Sequence, residues 1–144
     1  MPIIESSGYA HVRITVTDIK RSKAFYDDVF GWPAAIDSSD RIDEPGIKQS
    51  VSDFFGGTVY QTPSGALFGL RPVAQEGQRF DSETVGLDHV SFMVPSRDDL
   101  ATARDAFEAK GIPHGEIIDL TDAGLSILSF SDPDGVYLEL TAQL

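Results

Sequence analysis

Three side chains of types that bind metal recur in matching strand-like runs: His11, His89 and Glu139. Neutral imidazole and carboxylate donors suit a divalent ion such as Fe, Mn, Ni, Co or Zn. His11 opens the run His11-Val12-Arg13-Ile14-Thr15-Val16, and His89 opens His89-Val90-Ser91-Phe92-Met93-Val94. Glu139 lies within Val136-Tyr137-Leu138-Glu139-Leu140-Thr141. Each run alternates, and a strand sends successive side chains to opposite faces. One face therefore receives Val12, Ile14, Val16, Val90, Phe92, Val94, Val136, Leu138 and Leu140. The other receives His11, Arg13, His89, Ser91, Tyr137, Glu139 and Thr141. Taken singly, each His is an ordinary strand-surface residue and Glu139 an ordinary solvent-facing one. The return of His at the same place in two similar segments sets them apart.

The elements that must carry these residues are duplicated. Residues 9–32 and 87–112 share one order: His, alternating strand, capping residue, helix, Gly stop. Thr62-Pro63-Ser64-Gly65-Ala66-Leu67-Phe68-Gly69-Leu70 parallels Asp132-Pro133-Asp134-Gly135-Val136-Tyr137-Leu138-Glu139-Leu140. The chain divides into modules 1–72 and 86–144, joined by a Gln-, Glu- and Gly-containing linker at 73–85, and each module reads βαβββ. The spacing predicts a helix over 19–30 with Asp18 as N-cap and Gly31 as stop, its stripe being Ser22, Phe25, Tyr26 and Val29. It predicts a second from Ser96 to Gly111, with Leu100, Ala103 and Phe107 inward. Ser96 and Asp99 read as a capping box with Asp in place of Glu. Strands are expected at 115–121, 125–130 and 136–142. Their counterparts in the first module are blurred by the long polar stretch 37–57, which is of a length often kept for function and is positioned to close over the polar face. His114 reads as an exposed turn residue.

Composition narrows the classes. Net charge is −12, from 11 basic and 23 acidic residues. Residues 1–72 carry 7 basic and 9 acidic side chains, residues 73–144 carry 4 and 14. Such a balance argues against a nucleic-acid partner, which needs a basic face, and disfavours an anionic membrane surface. There is no cysteine, so neither disulfides nor thiolate chemistry arise. No apolar run approaches the roughly 18 residues of a membrane span. Neither a Gly-rich phosphate loop nor a Ser/His/Asp set stands out; Ser64-Gly65 and Asp134-Gly135 read as hairpin turns. A cytoplasmic protein is expected.

With Ala10-His11-Val12, Phe25-Tyr26, Phe30-Gly31-Trp32, Asp88-His89-Val90, Asp132-Pro133-Asp134-Gly135 and Leu138-Glu139-Leu140 in view, the chain resembles the vicinal oxygen chelate superfamily. That group comprises glyoxalase I, bleomycin-resistance and extradiol dioxygenase proteins. The resemblance spans nearly the whole chain. It implies an α+β fold in which two βαβββ modules form an eight-stranded, cup-like mixed sheet with helices outside. It also implies a homodimer, a small-molecule substrate or ligand, and a divalent metal bound by ligands from the first and last strands of each module. Carried over by position, the ligand sites are His11, Gly69, His89 and Glu139. Gly69 departs from the pattern, since glyoxalase I-like members place Glu or Gln there and use the extra carboxylate to move protons. The three remaining ligands resemble the extradiol and fosfomycin-resistance sets. The extradiol pattern also wants a Tyr ten residues before the Glu, where this chain has Ser129. Fosfomycin enzymes gather basic groups, for which strand parity offers Arg13 and Arg71.

The resulting expectation is a metal-dependent enzyme of this superfamily acting on a small substrate with adjacent oxygens: an isomerase, lyase, dioxygenase or transferase. His11, His89 and Glu139 would hold the metal, Arg13 would neutralise a substrate carboxylate and Tyr137 would donate a proton or hydrogen bond. The alternative is a bleomycin-resistance-like binding protein that sequesters a small, possibly cationic ligand. Trp32, Phe54 and Phe55 fit such a groove, although core packing accounts for Trp32.

Overall fold

The computed structural model describes residues 1–144. Contacts divide the chain into two compact units, Met1–Gln78 and Arg79–Leu144. Each holds one helix and one four-stranded mixed sheet, in an α+β arrangement. The first unit contains β1 (His11–Thr15), α1 (Ile19–Val29), β2 (Ala34–Asp37), β3 (Thr58–Gln61) and β4 (Leu67–Arg71). The second contains β5 (Val90–Met93), α2 (Arg97–Lys110), β6 (Ile118–Leu120), β7 (Leu125–Ser131) and β8 (Tyr137–Gln143). The strand orders are β1-β4-β3-β2 and β5-β8-β7-β6. In both, the first strand runs parallel to the last and the other pairs are antiparallel. No helix is long and apolar enough to cross a membrane.

The helices begin and end where the local chemistry places them. Asp18 Oδ1 accepts from the backbone of Lys20 and Arg21 at 3.0 and 3.1 Å, capping α1. Ser96 Oγ accepts from the Asp99 amide at 3.3 Å, capping α2, while the Asp99 carboxylate accepts from the Ser96 hydroxyl at 2.6 Å in place of the backbone bond of a capping box. Gly111, at φ 68°, lets α2 turn out while its amide reaches back to Glu108 at 3.3 Å. Ile19, Ser22 and Tyr26 are the buried face of α1, and Leu100 and Phe107 that of α2.

Alternation holds in the sheets. Ile14, Phe68 and Leu70 are buried in the first unit; Leu128, Phe130, Leu138 and Leu140 are buried in the second. The aromatic core of the first unit includes Tyr26 against Phe68, with Trp32 stacked on Phe30 at 4.1 Å. The buried phenol of Tyr60 donates to Asp27 at 2.9 Å; burial, then that carboxylate, push its pKa up. In the second unit Phe107 stacks on Phe130 at 4.6 Å.

The stretch 37–57 is not an open loop. It folds into one-turn 3-10 helices at Ser39–Arg41, Ile47–Gln49 and Phe54–Gly56. Arg41 ties them together by ion pairs to Glu44 at 2.8 Å and Asp53 at 2.9 Å. Asp37 anchors the entry, accepting from Lys23, from the Ser39 amide and hydroxyl, and from Thr58. Burial alone would raise the Asp37 pKa, but these donors bring it down to about 2. Gly57 lies so close to β4 that a Cβ there would stand 2.0 Å from the Leu70 carbonyl oxygen, so only glycine fits.

His114 corrects an expectation. Its side chain is only 12% exposed, because its backbone bridges to Phe130 on β7. The ring is held by the Gly115 carbonyl at 2.7 Å and by Glu108 of α2 at 2.8 Å. Those two acceptors raise its pKa.

The turn that delivers β8 rests on Asp132. This buried carboxylate accepts from the amides of Asp134 and Val136 at 2.9 and 2.8 Å. Asp132→Ala leaves those buried donors unmatched and should cost about 1–3 kcal/mol, while Asp132→Asn retains an acceptor and recovers most of it; urea unfolding measures both. Asp37 gives a pH signature. Its folded pKa lies below the unfolded value, so its contribution is complete above about pH 4 and fades as pH falls toward 2. Unfolding titrations from pH 6 to 2 should show the stability gap between wild type and Asp37→Asn narrowing over that window.

Candidate metal and substrate site

β5 and β8 bring His89 and Glu139 together on the sheet face opposite α2. Their parallel register sets Ser91 beside Glu139 and Met93 beside Thr141. The apolar parity of both strands is turned to the helix, so the polar parity takes the open side. His89, just ahead of β5, places Nε2 3.7 Å from Glu139 Oε1. That is too long for a hydrogen bond. Two donors bound tetrahedrally at metal–ligand distances stand about 3.4 Å apart, so the gap suits a shared cation.

Both donors are braced from behind. Asp88 Oδ1 lies 2.5 Å from His89 Nδ1. With Nδ1–H donating to that carboxylate, the Nε2 lone pair faces Glu139, as in carboxylate–histidine–metal arrangements. Thr141 donates to Glu139 Oε1 at 3.1 Å. A threonine hydroxyl has one proton, so the 2.5 Å contact between Thr141 and Ser91 is donated by Ser91. The result is a directed chain from Ser91 through Thr141 to Glu139. The Glu139 side chain is 16% exposed against 42% for His89, so the carboxylate is the deeper donor.

A cavity of about 510 Å³ opens over this pair, lined among others by Asp88, His89, His114, Ser129, Tyr137 and Glu139. Tyr137 shares the open face with Glu139 two residues on and is 45% exposed. Ser129 lies opposite Glu139 on β7. His114 has acceptors at both ring nitrogens and therefore has no free donor atom for a metal.

The first unit repeats the scaffold without repeating the donors. His11 opens β1, is exposed, and has neither a hydrogen bond nor an ion pair. The β1–β4 register sets Arg13 opposite Gly69 as the β5–β8 register sets Ser91 opposite Glu139. Since Arg13 and Ser91 each lie two residues past the His, Gly69 holds the Glu139 position of its module. A Cβ at Gly69 would meet Arg13 Cγ at 3.1 Å and Cδ at 3.2 Å, so the Arg13 stem fills the space a side chain at 69 would need. Within neither unit do three or more His, Asp or Glu side chains gather as a metal-holding group.

Sequence reasoning picked out His89, Glu139 and Tyr137, which the second unit brings to one cavity. It gave no role to Asp88, whose contact depends on the coil before β5 and has no periodicity to reveal it. Ser91 and Thr141 were on the correct face, but their linkage depends on strand register.

Comparisons with known proteins agree with this scaffold. No curated protein matches the chain. A glyoxylase/bleomycin resistance protein/dioxygenase domain from Frankia sp. EAN1pec is 25% identical, covers 97% of this chain and 94% of its own, and superposes with a TM-score of 0.75. A mutant of the fosfomycin resistance protein FosX from Listeria monocytogenes, complexed with Mn(II) and 1S,2S-dihydroxypropylphosphonic acid, shares the fold at 17% identity. It covers 97% of this chain and 95% of its own, with a TM-score of 0.70. Lactoylglutathione lyase from Agrobacterium tumefaciens does so at 21% identity, with coverage of 95% and 94% and a TM-score of 0.65. The model of the Glyoxalase/Bleomycin resistance protein/Dioxygenase superfamily matches residues 8–140, and the chain belongs to that superfamily.

Proposed function

We propose that this protein is a metal-dependent enzyme acting on a small substrate with adjacent oxygen atoms, with His11, His89 and Glu139 as the metal ligands. The observation that carries the reading is the braced pair: His89 oriented by Asp88, Glu139 oriented by Thr141, and the two separated by 3.7 Å rather than hydrogen-bonded to each other. With the ring proton on Nδ1, Nε2 and the Glu139 carboxylate both present lone pairs to the space between them, which a cation would share. His11 joins by the internal repeat, since it holds the position in the first module that His89 holds in the second. Its unpartnered imidazole is consistent with a ligand role. The metal, when bound, supplies a Lewis acid that favours a substrate oxyanion or enolate.

The protein's own groups then divide the remaining work. The Asp88 carboxylate keeps the proton on Nδ1 of His89. The Ser91–Thr141 chain orients Glu139 by donating to its Oε1. Tyr137, on the same face, donates a hydrogen bond or proton to a substrate oxygen. Arg13 supplies a counter-charge for an anionic substrate group. Gly69 removes the second proton-transfer carboxylate of glyoxalase-type sites, so the reaction does not depend on one there.

Metal analysis of untagged protein incubated with Mn, Fe, Co, Ni or Zn tests the assignment. Near-stoichiometric uptake is expected, lost in His89→Ala and Glu139→Gln and strongly reduced in His11→Ala. Asp88→Asn should weaken affinity by roughly 10–100-fold, the range for outer-shell partners of a ligating His, and Tyr137→Phe should leave uptake unchanged. If no divalent metal is retained in excess, the enzyme reading fails and the small-ligand binding reading replaces it.

A further inference from the structure

We propose that His114 is a proton-operated latch: as an imidazolium it fastens the segment 113–115, which edges the cavity beside Glu139, to the last turn of α2, and it releases that edge on losing a proton. The latch stands on the second unit alone; calling it a regulator of the substrate site rests on the enzyme reading above.

The hydrogen bonds demand a charged ring. Nδ1 lies 2.7 Å from the Gly115 carbonyl oxygen, and Nε2 lies 2.8 Å from the Glu108 carboxylate. Neither partner has a proton to give. A neutral imidazole has one N–H and can serve only one of them, whereas the imidazolium donates to both. From α2 the ring meets Glu108 and, at 6.4 Å between ring centres, Phe107. From its own segment it feels Glu116, and both carboxylates favour the cation. β7, Leu125–Ser131, carries no titratable side chain.

Strand pairing explains why the ring reaches the helix. His114 bridges to Phe130, which stacks on Phe107 on the α2 side of β7. Paired residues share a face, so the His114 ring goes to α2 while Pro113 and Gly115 take the cavity side. Two hydrogen bonds flank the bridge: the Gly115 amide to the Ser129 carbonyl at 2.9 Å, and the Ser131 amide to the Pro113 carbonyl at 3.0 Å. Beyond them the ladder breaks. His114 faces Phe130 but Ile118 faces Ile127, so the chain from 114 to 118 holds one residue more than the stretch opposite. The cavity edge is therefore a short, separate rung, and the ring ties it to α2.

The first module makes the same strand-to-helix tie without a group that titrates near neutrality. There the Gln61 amide donates to the Pro33 carbonyl at 3.0 Å and Ala34 pairs with Tyr60, matching Ser131, Pro113, His114 and Phe130. Ala34 has no donor to offer α1. Instead the Tyr60 phenol bonds to Asp27 of α1 at 2.9 Å, and a phenol keeps its proton at neutral pH. In the second module Phe130 lacks that hydroxyl, and the tie has passed to an imidazole. Its two acceptors hold the His114 pKa above the ordinary 6.5. The latch thus contributes fully below about pH 6.5 and is lost as pH rises through the folded value.

The test uses full-length, metal-free protein, so its outcome does not depend on metal uptake. Nitrogen NMR should find both His114 ring nitrogens protonated at about pH 6. Hydrogen exchange, corrected for the intrinsic pH dependence of amides, follows Gly115 and Ser131. The Val94 amide, bonded to Thr141 at 2.9 Å toward the other end of β8, is the control. Protection of Gly115 and Ser131 should fall about threefold or more as His114 titrates, while that of Val94 does not follow it. Glu108→Gln, at an exposed side chain that keeps an acceptor, should move the titration and the loss of protection together to lower pH. His114→Phe should show the loosened edge at every pH; if it fails to fold, Glu108→Gln decides. A His114 ring with one protonated nitrogen at about pH 6, or protection that ignores its titration, overturns the proposal. Protection insensitive to pH in a protein that takes up metal defeats the latch alone, whereas a working latch without metal uptake defeats only the enzyme reading.

Discussion

The strand pleat, locked by the parallel pairing of the first and last strands in each unit, is the constraint from which the site follows. Turning half-buried Val90 and Phe92 and buried Leu138 and Leu140 to one side obliges His89, Ser91, Glu139 and Thr141 to share the other. A slip of one residue would send Glu139 into the apolar layer and leave Leu138 and Leu140 in water. The hydrophobic free energy of the core therefore enforces the geometry of the polar face. The shared face of these polar side chains comes with the fold, and Asp88, Ser91 and Thr141 then fix their orientation.

That constraint acts on both modules, yet their open faces have diverged in charge. In the second, Glu139 is backed by two hydroxyls and faces an imidazole held by a carboxylate. In the first, Gly69 leaves room for an arginine to lie flat, and a second arginine joins it against the ring of Phe55. The same scaffold position thus carries a carboxylate in one module and no side chain in the other. The fosfomycin resistance protein solved with Mn(II) and a phosphonic acid shares the fold at low identity.

Much of the frame could be read from residue patterns. Helix limits at Asp18, Ser96 and Gly111 follow from capping chemistry that acts over three or four residues. The two-residue period of β5, β7 and β8 is strong because each strand has one face turned away from solvent, half-buried in β5 and buried in β7 and β8. The stretch 37–57 resisted reading because its short 3-10 turns have no period. They are held by Asp37 and Arg41 through partners up to 21 residues away. His114 was misread for a related reason. Its neighbours in sequence suggest a turn, but α2 and β7 supply the partners that enclose it.

The amino-acid sequence alone determined the duplicated βαβββ plan and which side chains share a face, because alternation, capping and repetition are local signals. Tertiary structure decided how those side chains are used. Asp88 reaches the ring of His89, the proton of Thr141 goes to Glu139, and Arg13 lies across Gly69 beside Phe55. These outcomes depend on strand register and on the path of coil between elements. Such distances are set by packing across the sheet, and no spacing along the chain encodes them.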